Sequence, residues 1–405
     1  MSNTRTELSV GQTTWTVFVR PEAAVELHRA PVLSPAAGAR ELVRAALERP
    51  IGLDAPLRRA LTPDDRVTIV LDEHLPHIPE LLAGVIEHLQ SGGINPSAVT
   101  VVVPPGGPGS PWVDDLPDEF ADIHLETHDP EERKKLAYLA TTKAGRRVYL
   151  NRTLVEADFV VVLTGRGYDP TFGYAGAEVA LFPALSDAET LAGFVGRFTT
   201  DPPGAKPGAA RAEAAEIGWL FGTPFFVQVI EGAGGEVQEV VAGLPESTAE
   251  GVRRQQARWH ATVAERPDLV VAAVSGDPGR VDFLAVASAA AAAARVVRPG
   301  GRIAVLTDAA PQLHEGADLL RQAEDSAAAG KALAKRKPDD WPAAALWAFA
   351  AERANLFVAS GWPDEVAEGL FATPITSASE VQRLIDAAER VLVIPDAHKT
   401  MVELR

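Results

Sequence analysis

Cysteine is absent from this chain of 405 residues. Its absence excludes disulfides, thiolate metal sites and a cysteine nucleophile, and it is typical of cytoplasmic proteins. The sequence also lacks any uncharged apolar run of about 18 residues, the length that a membrane-spanning helix needs. The N-terminus, "MSNTRTELSVGQTTW", has no basic and then apolar pattern of a signal peptide. We therefore expect a cytoplasmic protein that has no membrane partner.

Basic residues are fewer than acidic ones. The 55 Asp and Glu residues against 38 Lys and Arg residues give a formal net charge of −17. A surface this acidic repels phosphate backbones, so we expect no nucleic-acid partner. Hydrophobic residues make up 46% of the chain and charged residues 23%, which is ordinary for a globular protein. The length exceeds that of one ordinary hydrophobic core and indicates two domains.

Strand and helix signals alternate along the chain, which predicts an α/β fold with mainly parallel sheets. Short apolar runs predict one set of strands at 66–71, 99–103 and 158–164, and a second set at 269–274, 302–307 and 356–359. The runs at 225–230 and 236–242 flank "EGAGG" and predict a hairpin. We expect two domains, at 1–264 and 265–405, with the last strand as a candidate to return to the first domain.

Ligands of parallel sheets lie at the carboxyl ends of the strands. The loops after Leu71, Val103, Thr164 and Val274 are therefore the predicted sites. The loop after Val103 reads "PPGGPG" and has neither the Lys-Ser/Thr pair of a P-loop nor G-x-G-x-x-G spacing. It is either a structural turn or a cradle for a ligand.

The first of these loops, within "LDEHLPHIPE", concentrates titratable side chains: Asp72, Glu73, His74 and His77. Such residues can act as acid–base groups or metal ligands. In the alternative reading, Asp72 caps a turn and the histidines are solvated. The spacing matches no well-defined metal site, and we predict no metal. The remaining histidines, His398 among them, are scattered along the chain.

A third cluster, "GRGYDPTFGYAGAEVALFPAL" at 165–185, follows a predicted strand and is rich in glycine and aromatic residues. It can wrap a planar ligand or pack over the core. This segment and several others together resemble the nickel-dependent lactate racemase family. The similar segments are "DEHLP" at 72–76, "PGGPG" at 105–109, "HD" at 128–129, "TTKAGRRVYLNRTLVEADFVV" at 141–161, "DPTFGYAGAEVALFPA" at 169–184, "SGDPGRVDFLAVAS" at 275–288 and "VRPGGRIAV" at 297–305. The resemblance extends over roughly residues 65–310 and implies a two-domain α/β fold.

The resemblance also implies which residues stand at the family's functional positions. The lysine that tethers the family's nickel-pincer nucleotide corresponds to Val179, and the histidine that ligates nickel corresponds to Val195. The two proton-transfer histidines correspond to Pro108 and to Thr171 or Asp169. An arginine, a tyrosine and a lysine of the family correspond to Leu75, Leu284 and Ser288. We therefore predict a degenerate site that carries no tethered nickel cofactor.

Our leading hypothesis is a lactate racemase homologue that binds a small ligand, such as a hydroxy acid, sugar acid or nucleotide, in an interdomain cleft. If it is an isomerase, the candidate acid–base residues are Asp72, His74 and Asp169. The candidate ligand- or cofactor-binding residues are Gly106, Gly107, Tyr174 and Gly176. One alternative is a non-catalytic pseudoenzyme that binds a protein partner. The other is a true 2-hydroxyacid racemase or epimerase with displaced catalytic residues.

Overall fold

A computed structural model describes residues 4–31, 34–107, 109–120, 122–195, 197–204 and 208–405. Its strands are β1 Thr4–Val10, β2 Thr13–Val19, β3 Ala24–Val25, β4 Val67–Leu71, β5 Val99–Val103, β6 His124–Thr127, β7 Leu136–Thr141, β8 Arg147–Asn151, β9 Phe159–Arg166, β10 Tyr168–Asp169, β11 Gly173–Tyr174, β12 Phe225–Glu231, β13 Val237–Gly243, β14 His260–Val263, β15 Leu269–Ala273, β16 Arg302–Leu306, β17 Asn355–Ala359, β18 Ala372–Pro374, β19 Val391–Ile394 and β20 Met401–Leu404. Its α-helices are α1 Ala39–Glu48, α2 Ile78–Ser91, α3 Arg152–Val155, α4 Glu178–Leu181, α5 Ala188–Val195, α6 Ala209–Phe221, α7 Ser247–Trp259, α8 Phe283–Val296, α9 Glu315–Gln322, α10 Ser326–Arg336, α11 Trp341–Arg353, α12 Asp364–Gly369 and α13 Ala378–Asp386.

One six-stranded sheet, in the order β13-β12-β9-β4-β5-β6, forms the N-terminal part of the molecule. Its strands are parallel except for the antiparallel pair of β12 and β13, which is the predicted hairpin. The central strand β4 is buried along its whole length because apolar clusters cover both faces of the sheet. The three strands predicted at 66–71, 99–103 and 158–164 lie together in this sheet, as expected.

A second six-stranded sheet, in the order β18-β17-β16-β15-β19-β3, forms the C-terminal part and is parallel throughout. The predicted strands at 269–274, 302–307 and 356–359 lie in it. The alanine-rich helix α8 packs on one face, and its alanines at 289–294 are at most 1% exposed. Small side chains allow this helix to pack closely against α11 and the strands. The predicted α/β class with mainly parallel sheets is confirmed.

The first residues of the chain belong with the second sheet. Strand β3 pairs with β19, and the hairpin of β1 and β2 places Leu8, Val10, Val17 and Val19 against that sheet. These side chains alternate along their strands, so a single apolar face is directed at the sheet. The last strand, β20, pairs with β14 rather than with the N-terminal sheet. The boundary between 264 and 265 stays a prediction. The segment at 4–25 precedes this boundary in the sequence but packs on the C-terminal sheet.

No helix in the described part of the chain is long and apolar enough to cross a membrane.

Candidate binding cleft

Both sheets reverse their strand order, and the two reversals face each other. In the N-terminal sheet the chain runs outward from β4 to β6 and then returns to β9 on the other side of β4. In the C-terminal sheet it runs from β15 outward to β18 and then returns to β19 on the other side of β15. Such reversals leave a crevice beyond the carboxyl ends of the strands, where ligands of α/β sheets bind.

A cavity of about 250 Å³ lies between these strand ends, and we call it the cleft. Its walls come from the loops after β4, β9 and β12 of the N-terminal sheet and after β15 and β19 of the C-terminal sheet, together with α7 and α8. The lining residues are His74, Arg166, Gly167, Tyr168, Glu231, Gly235, Gln255, Trp259, Ser275, Gly276, Asp277, Arg280, Val281, Asp282, Leu284, Ala285, Ser288, His398 and Lys399. The cleft is thus lined mostly by polar side chains, although it lies between two apolar cores.

Glu231, at the end of β12, binds two cations from the other sheet. Its carboxylate lies 2.9 Å from the Lys399 ammonium and 3.2 Å from the Arg280 guanidinium. Burial opposes ionisation of Glu231, but Lys399 and Arg280 outweigh it and lower the pKa of this carboxyl. Arg280 also donates to the backbone oxygen of His74. These contacts hold the two halves of the molecule together at one side of the cleft.

Asp396 stabilises the contact between the two halves of the molecule through buried hydrogen bonds. It is 4% exposed, and its Oδ1 accepts from the Gly234 amide at 3.2 Å and from the Ser275 hydroxyl. The residue lies in the left-handed region with φ +52°, at the turn that carries His398 and Lys399 into the cleft. A strained turn held by buried hydrogen bonds fixes the direction of the side chains that follow it.

Arg166 brings a buried cation to the cleft without a carboxylate partner among the described residues. Its Nε donates to Gln228 Oε1 at 2.8 Å, and its Nη1 donates to the Ala175 backbone oxygen at 2.9 Å. Burial lowers the pKa of Arg166 to about 9, with a smaller effect from Arg211. Neutral oxygens therefore satisfy this guanidinium.

Several buried polar atoms of the cleft have no hydrogen-bond partner in the described chain. They are Tyr168 Oη, Gln255 Oε1, Arg280 Nε and His398 Nδ1. Buried polar groups are rarely left unpaired, because each one costs free energy. They come from four different elements and belong to residues that line the same cavity. These unpaired atoms are candidates for hydrogen bonds with a ligand or with water at the cleft.

The two aromatic acid–base groups in this set are both neutral near pH 7. Burial and, to a smaller extent, the nearby Lys399 ammonium lower the pKa of His398 to about 4. Burial likewise raises the pKa of Tyr168, with a contribution from Tyr174. A neutral imidazole and a neutral phenol can each donate and accept a hydrogen bond. They also line a smaller adjoining cavity of about 40 Å³, which is lined in addition by Asp169 and Arg295.

Of the residues predicted from the sequence, His74 lines the cleft and Asp72 lies directly behind it. His74 is exposed, as in the solvated reading. The Asp72 carboxylate accepts from the amides of His74 at 3.0 Å and of Gly165 at 3.2 Å. It therefore caps the turn after β4, and it ties this turn to the end of β9.

The predicted glycines lie beside these turns rather than on the cleft wall. A Cβ atom on Gly176 would stand 2.3 Å from the Gly165 backbone oxygen, so this glycine allows a close backbone contact. A Cβ on Gly107 would stand 2.3 Å from the carboxylate of Glu73, which also accepts from Trp112 Nε1 at 2.8 Å. Gly106 faces open space. The contact with Glu73 favours the structural reading of the "PPGGPG" loop.

Tyr174 and Asp169 form the layer beneath Tyr168. The Tyr174 ring lies 5.6 Å from the Tyr168 ring. The Tyr174 hydroxyl accepts a hydrogen bond from Gln256 Nε2 and does not line the cleft. Asp169 accepts from the amides of Thr171 and Phe172, both at 2.7 Å, and burial raises the pKa of its carboxyl. The functional roles given to the predicted site residues stay predictions.

Three of the predicted strand-end loops reach the cleft, with His74 after Leu71, Arg166 after Thr164 and Arg280 after Val274. Sequence reasoning missed Glu231, whose segment "EGAGG" indicates only a hairpin turn, and it missed Gln255, His398 and Lys399. The available signal was the apolar run "RVLVIPD" at 390–396, whose carboxyl end leads directly into His398 and Lys399. The strand-end rule applied to this strand would have identified both residues.

The positions implied by the family resemblance lie in three different environments. Leu75 is 2% exposed within the core of the N-terminal sheet, and Val179 is partly buried against the core cluster on its other face. Leu284 and Ser288 line the cleft. Pro108 and Lys206, a possible substitute for the tether, lie outside the described residues, as does the side chain of Val195. Within the described ranges, no three His, Cys, Asp or Glu residues are grouped so as to hold a metal ion.

Comparison with known proteins agrees with this geometry. Residues 10–202 match the model of the family described as the lactate racemase N-terminal domain. The whole fold is similar to that of the lactate racemase apoprotein from Thermoanaerobacterium thermosaccharolyticum, with a TM-score of 0.80, 17% identity and coverage of 98% of this chain and 100% of that one. A Thermotoga maritima protein matches with a TM-score of 0.66, 13% identity and coverage of 93% and 100%. Comparison with curated protein sequences finds no match. The predicted lactate racemase-like fold is confirmed, and residues 10–202 match the lactate racemase N-terminal domain.

Proposed function

We propose that this lactate racemase-like protein binds a small polar ligand in the cleft between its two sheets, without a covalently tethered nickel-pincer nucleotide. One observation carries the first part: four buried and unpaired polar atoms belong to residues that line one cavity, namely Tyr168 Oη, Gln255 Oε1, Arg280 Nε and His398 Nδ1. A ligand that pairs with them removes a cost that the empty cleft otherwise carries. The cleft also lies where both sheets reverse their strand order.

The side chains present do not fit the family's cofactor. Val179 has no nucleophilic nitrogen, and it packs against apolar side chains such as those around Leu181. Square-planar nickel needs nitrogen or sulfur donors, and the aliphatic Val195 has neither. We therefore assign no step of any reaction to this group.

The alternative of a pseudoenzyme that binds a protein has weaker support. A cleft filled by Leu75, Val179 and Leu284 would have favoured it. Leu75 and Val179 instead belong to the cores of the N-terminal sheet, and Leu284 is one apolar residue in a mainly polar wall. A concave cleft with several convergent polar groups favours a small-molecule ligand over a protein partner.

An isomerase that uses its own residues is the second candidate function. Two histidines, His74 from the N-terminal sheet and His398 from the C-terminal sheet, line the same cavity. Groups on opposite walls can exchange protons with the two faces of a bound substrate. If the protein works in this way, a bound 2-hydroxy acid exchanges its carbon-bound hydrogen with D₂O, and His398→Gln abolishes the exchange.

Mass spectrometry tests the cofactor part of the proposal. The protein is purified from cells that also make the nickel-pincer nucleotide, with a lactate racemase that carries the tethering lysine as the positive control. We expect the intact mass of the unmodified chain, 42.9 kDa, and no stoichiometric nickel. An added nucleotide mass together with one nickel per chain would overturn this part.

Thermal melting in the presence of small polar compounds tests the binding part. Hydroxy acids, sugar acids, sugars and nucleosides are added separately, and a compound that binds the folded state raises the melting temperature. The variant Gln255→Leu keeps the size of the side chain but removes the unpaired oxygen, so it should reduce the rise. The matched variant Gln90→Leu changes an exposed residue of α2 and should not. Failure of every class to stabilise the wild-type protein would count against the proposal.

A further inference from the structure

We infer that the cleft selects a neutral ligand rich in hydroxyl groups, such as a monosaccharide or a cyclic polyol, over an anionic hydroxy acid. The inference rests on the proposed function, because it names the chemical class of the ligand that this cleft binds.

The charges of the cleft are already matched before any ligand enters. Three cations, Arg166, Arg280 and Lys399, and three carboxylates, Glu231, Asp277 and Asp282, line it. The carboxylate of Glu231 already occupies the position between Arg280 and Lys399 that an anionic ligand would need. An incoming carboxylate would be repelled by Glu231 across a partly buried site, where screening by water is weak.

Arg166 does not offer an alternative anion site. Its guanidinium donates to Gln228 and to the backbone oxygens of Ala175 and Thr248, so its donors are directed into the protein. Strong anion binding uses free, converging donors such as an unengaged arginine fork. The formal net charge of −17 also lowers the local concentration of anions.

The unpaired atoms require a ligand that both donates and accepts. Gln255 Oε1 can only accept a hydrogen bond, and Arg280 Nε can only donate one. Tyr168 Oη and His398 Nδ1 can do either. A hydroxyl group donates and accepts, whereas a carboxylate only accepts, so Gln255 Oε1 needs a hydroxyl or another donor of the ligand. Hydroxyl groups thus match both the accepting and the donating atoms of this set.

The rest of the wall suits the carbon frame of such a ligand. Val281, Leu284 and Ala285 provide apolar surface. Trp259 is fully buried behind this wall, and its Nε1 donates to the Glu231 backbone oxygen at 2.9 Å. A cyclic polyol presents C–H groups beside its hydroxyls, and apolar surface with a few convergent polar groups is the usual composition of a small-molecule site.

Calorimetric titration with matched pairs of compounds tests the inference. Glucose is compared with gluconate, glycerol with glycerate, and myo-inositol serves as a cyclic polyol without a ring oxygen. We expect at least one neutral compound to bind with a dissociation constant below about 1 mM, and at least roughly tenfold more tightly than its carboxylate counterpart. Binding of glucose but not of myo-inositol would identify the ligand as a sugar. Binding of myo-inositol but not of glucose would identify it as a carbocyclic polyol.

Glu231→Gln tests the reason for the selectivity. It keeps the side-chain volume but frees Arg280 and Lys399, so affinity for the carboxylate compound should rise at least roughly tenfold. Glu7→Gln makes the same charge change at an exposed pair with Arg5 and should leave both affinities unchanged. Gln255→Leu should weaken binding of the neutral compound at least roughly tenfold. If Glu231→Gln does not fold, the wild-type pairs and Gln255→Leu decide the question.

The outcomes separate this inference from the proposed function. Tighter binding of the carboxylate compounds by the wild-type protein overturns the neutral selectivity and leaves ligand binding in the cleft intact. An unchanged preference in a folded Glu231→Gln variant also overturns it. Absence of binding by both classes overturns the inference together with the proposed function.

Discussion

The Lys399 ammonium lies 2.9 Å from the carboxylate of Glu231, and this contact joins the C-terminal sheet to the N-terminal one. The two side chains are only 12% and 20% exposed. Their attraction is therefore less screened than that of a surface pair. The contact links the two walls of the cleft and pairs the ammonium with a carboxylate of the protein itself.

Replacement of Glu231 by alanine should destabilise the protein strongly. The change leaves Lys399 and Arg280 without their shared carboxylate, and removing one partner of a buried ion pair costs about 3–5 kcal/mol. Urea denaturation measures the loss in free energy of unfolding. The control Glu7→Ala removes an exposed ion pair with Arg5 and should cost less than about 1 kcal/mol. Equal losses in the two variants would contradict the role given to Glu231.

His398 should make the protein less stable in mild acid. Its pKa is about 4 in the folded state and about 6.5 when unfolded, so only the unfolded chain gains a proton as the pH falls between these values. The contribution of His398 to the free energy of unfolding is therefore fully present above pH 6.5. As the pH falls to 4, the free energy of unfolding decreases by about 3 kcal/mol. Urea denaturation at pH 7.5 and 4.5 should show a smaller difference for His398→Gln than for the wild-type protein. His314→Gln, at an exposed histidine, should keep the wild-type difference; the same slope in all three proteins would refute the assignment.

Two of the glycines predicted to bind a ligand should respond very differently to alanine. Gly176 and Gly106 have nearly the same left-handed backbone, with φ +80° and +81°. Alanine there costs about 1–2 kcal/mol from the backbone alone, which is the whole effect expected at Gly106. At Gly176 the new Cβ would also meet the Gly165 backbone oxygen at 2.3 Å, which raises the expected loss to about 2–5 kcal/mol. Similar melting temperatures for the two variants would exclude this close contact.

Leu75 should behave as a core residue and not as part of the cleft wall. Leu75→Ala removes a side chain that is 2% exposed, and the cavity should cost about 2–5 kcal/mol in the free energy of unfolding. Leu125→Ala removes the same atoms from a side chain that is 42% exposed and should cost less than about 1 kcal/mol. Chemical denaturation compares the two. A loss at Leu75 no larger than that at Leu125 would place Leu75 outside the core.

The strands and the parallel order could be predicted because each signal is local. The runs "VTIVL" at 67–71 and "IAVL" at 303–306 are almost wholly apolar and buried, which is the pattern of a strand covered on both faces. The strand-end rule directed attention to His74, which lines the cleft. It did not identify Glu231, because "EGAGG" at 231–235 indicates only a hairpin turn, nor His398, whose preceding strand lies outside the two predicted sets.

What the sequence by itself determined is the alternation of apolar runs and turns, and hence the α/β class and the two sheets. The lactate racemase resemblance also followed from local segments, such as the stretch at 141–161. Only the tertiary structure decided that the segment at 4–25 packs on the second sheet and that Glu231 meets Lys399 and Arg280. The reason is that hydrophobic periodicity reports which face of an element is buried, but not which distant element covers it. The pairing of buried charges depends on that choice, because a carboxylate and an ammonium stabilise each other only where the fold places them within a few ångströms.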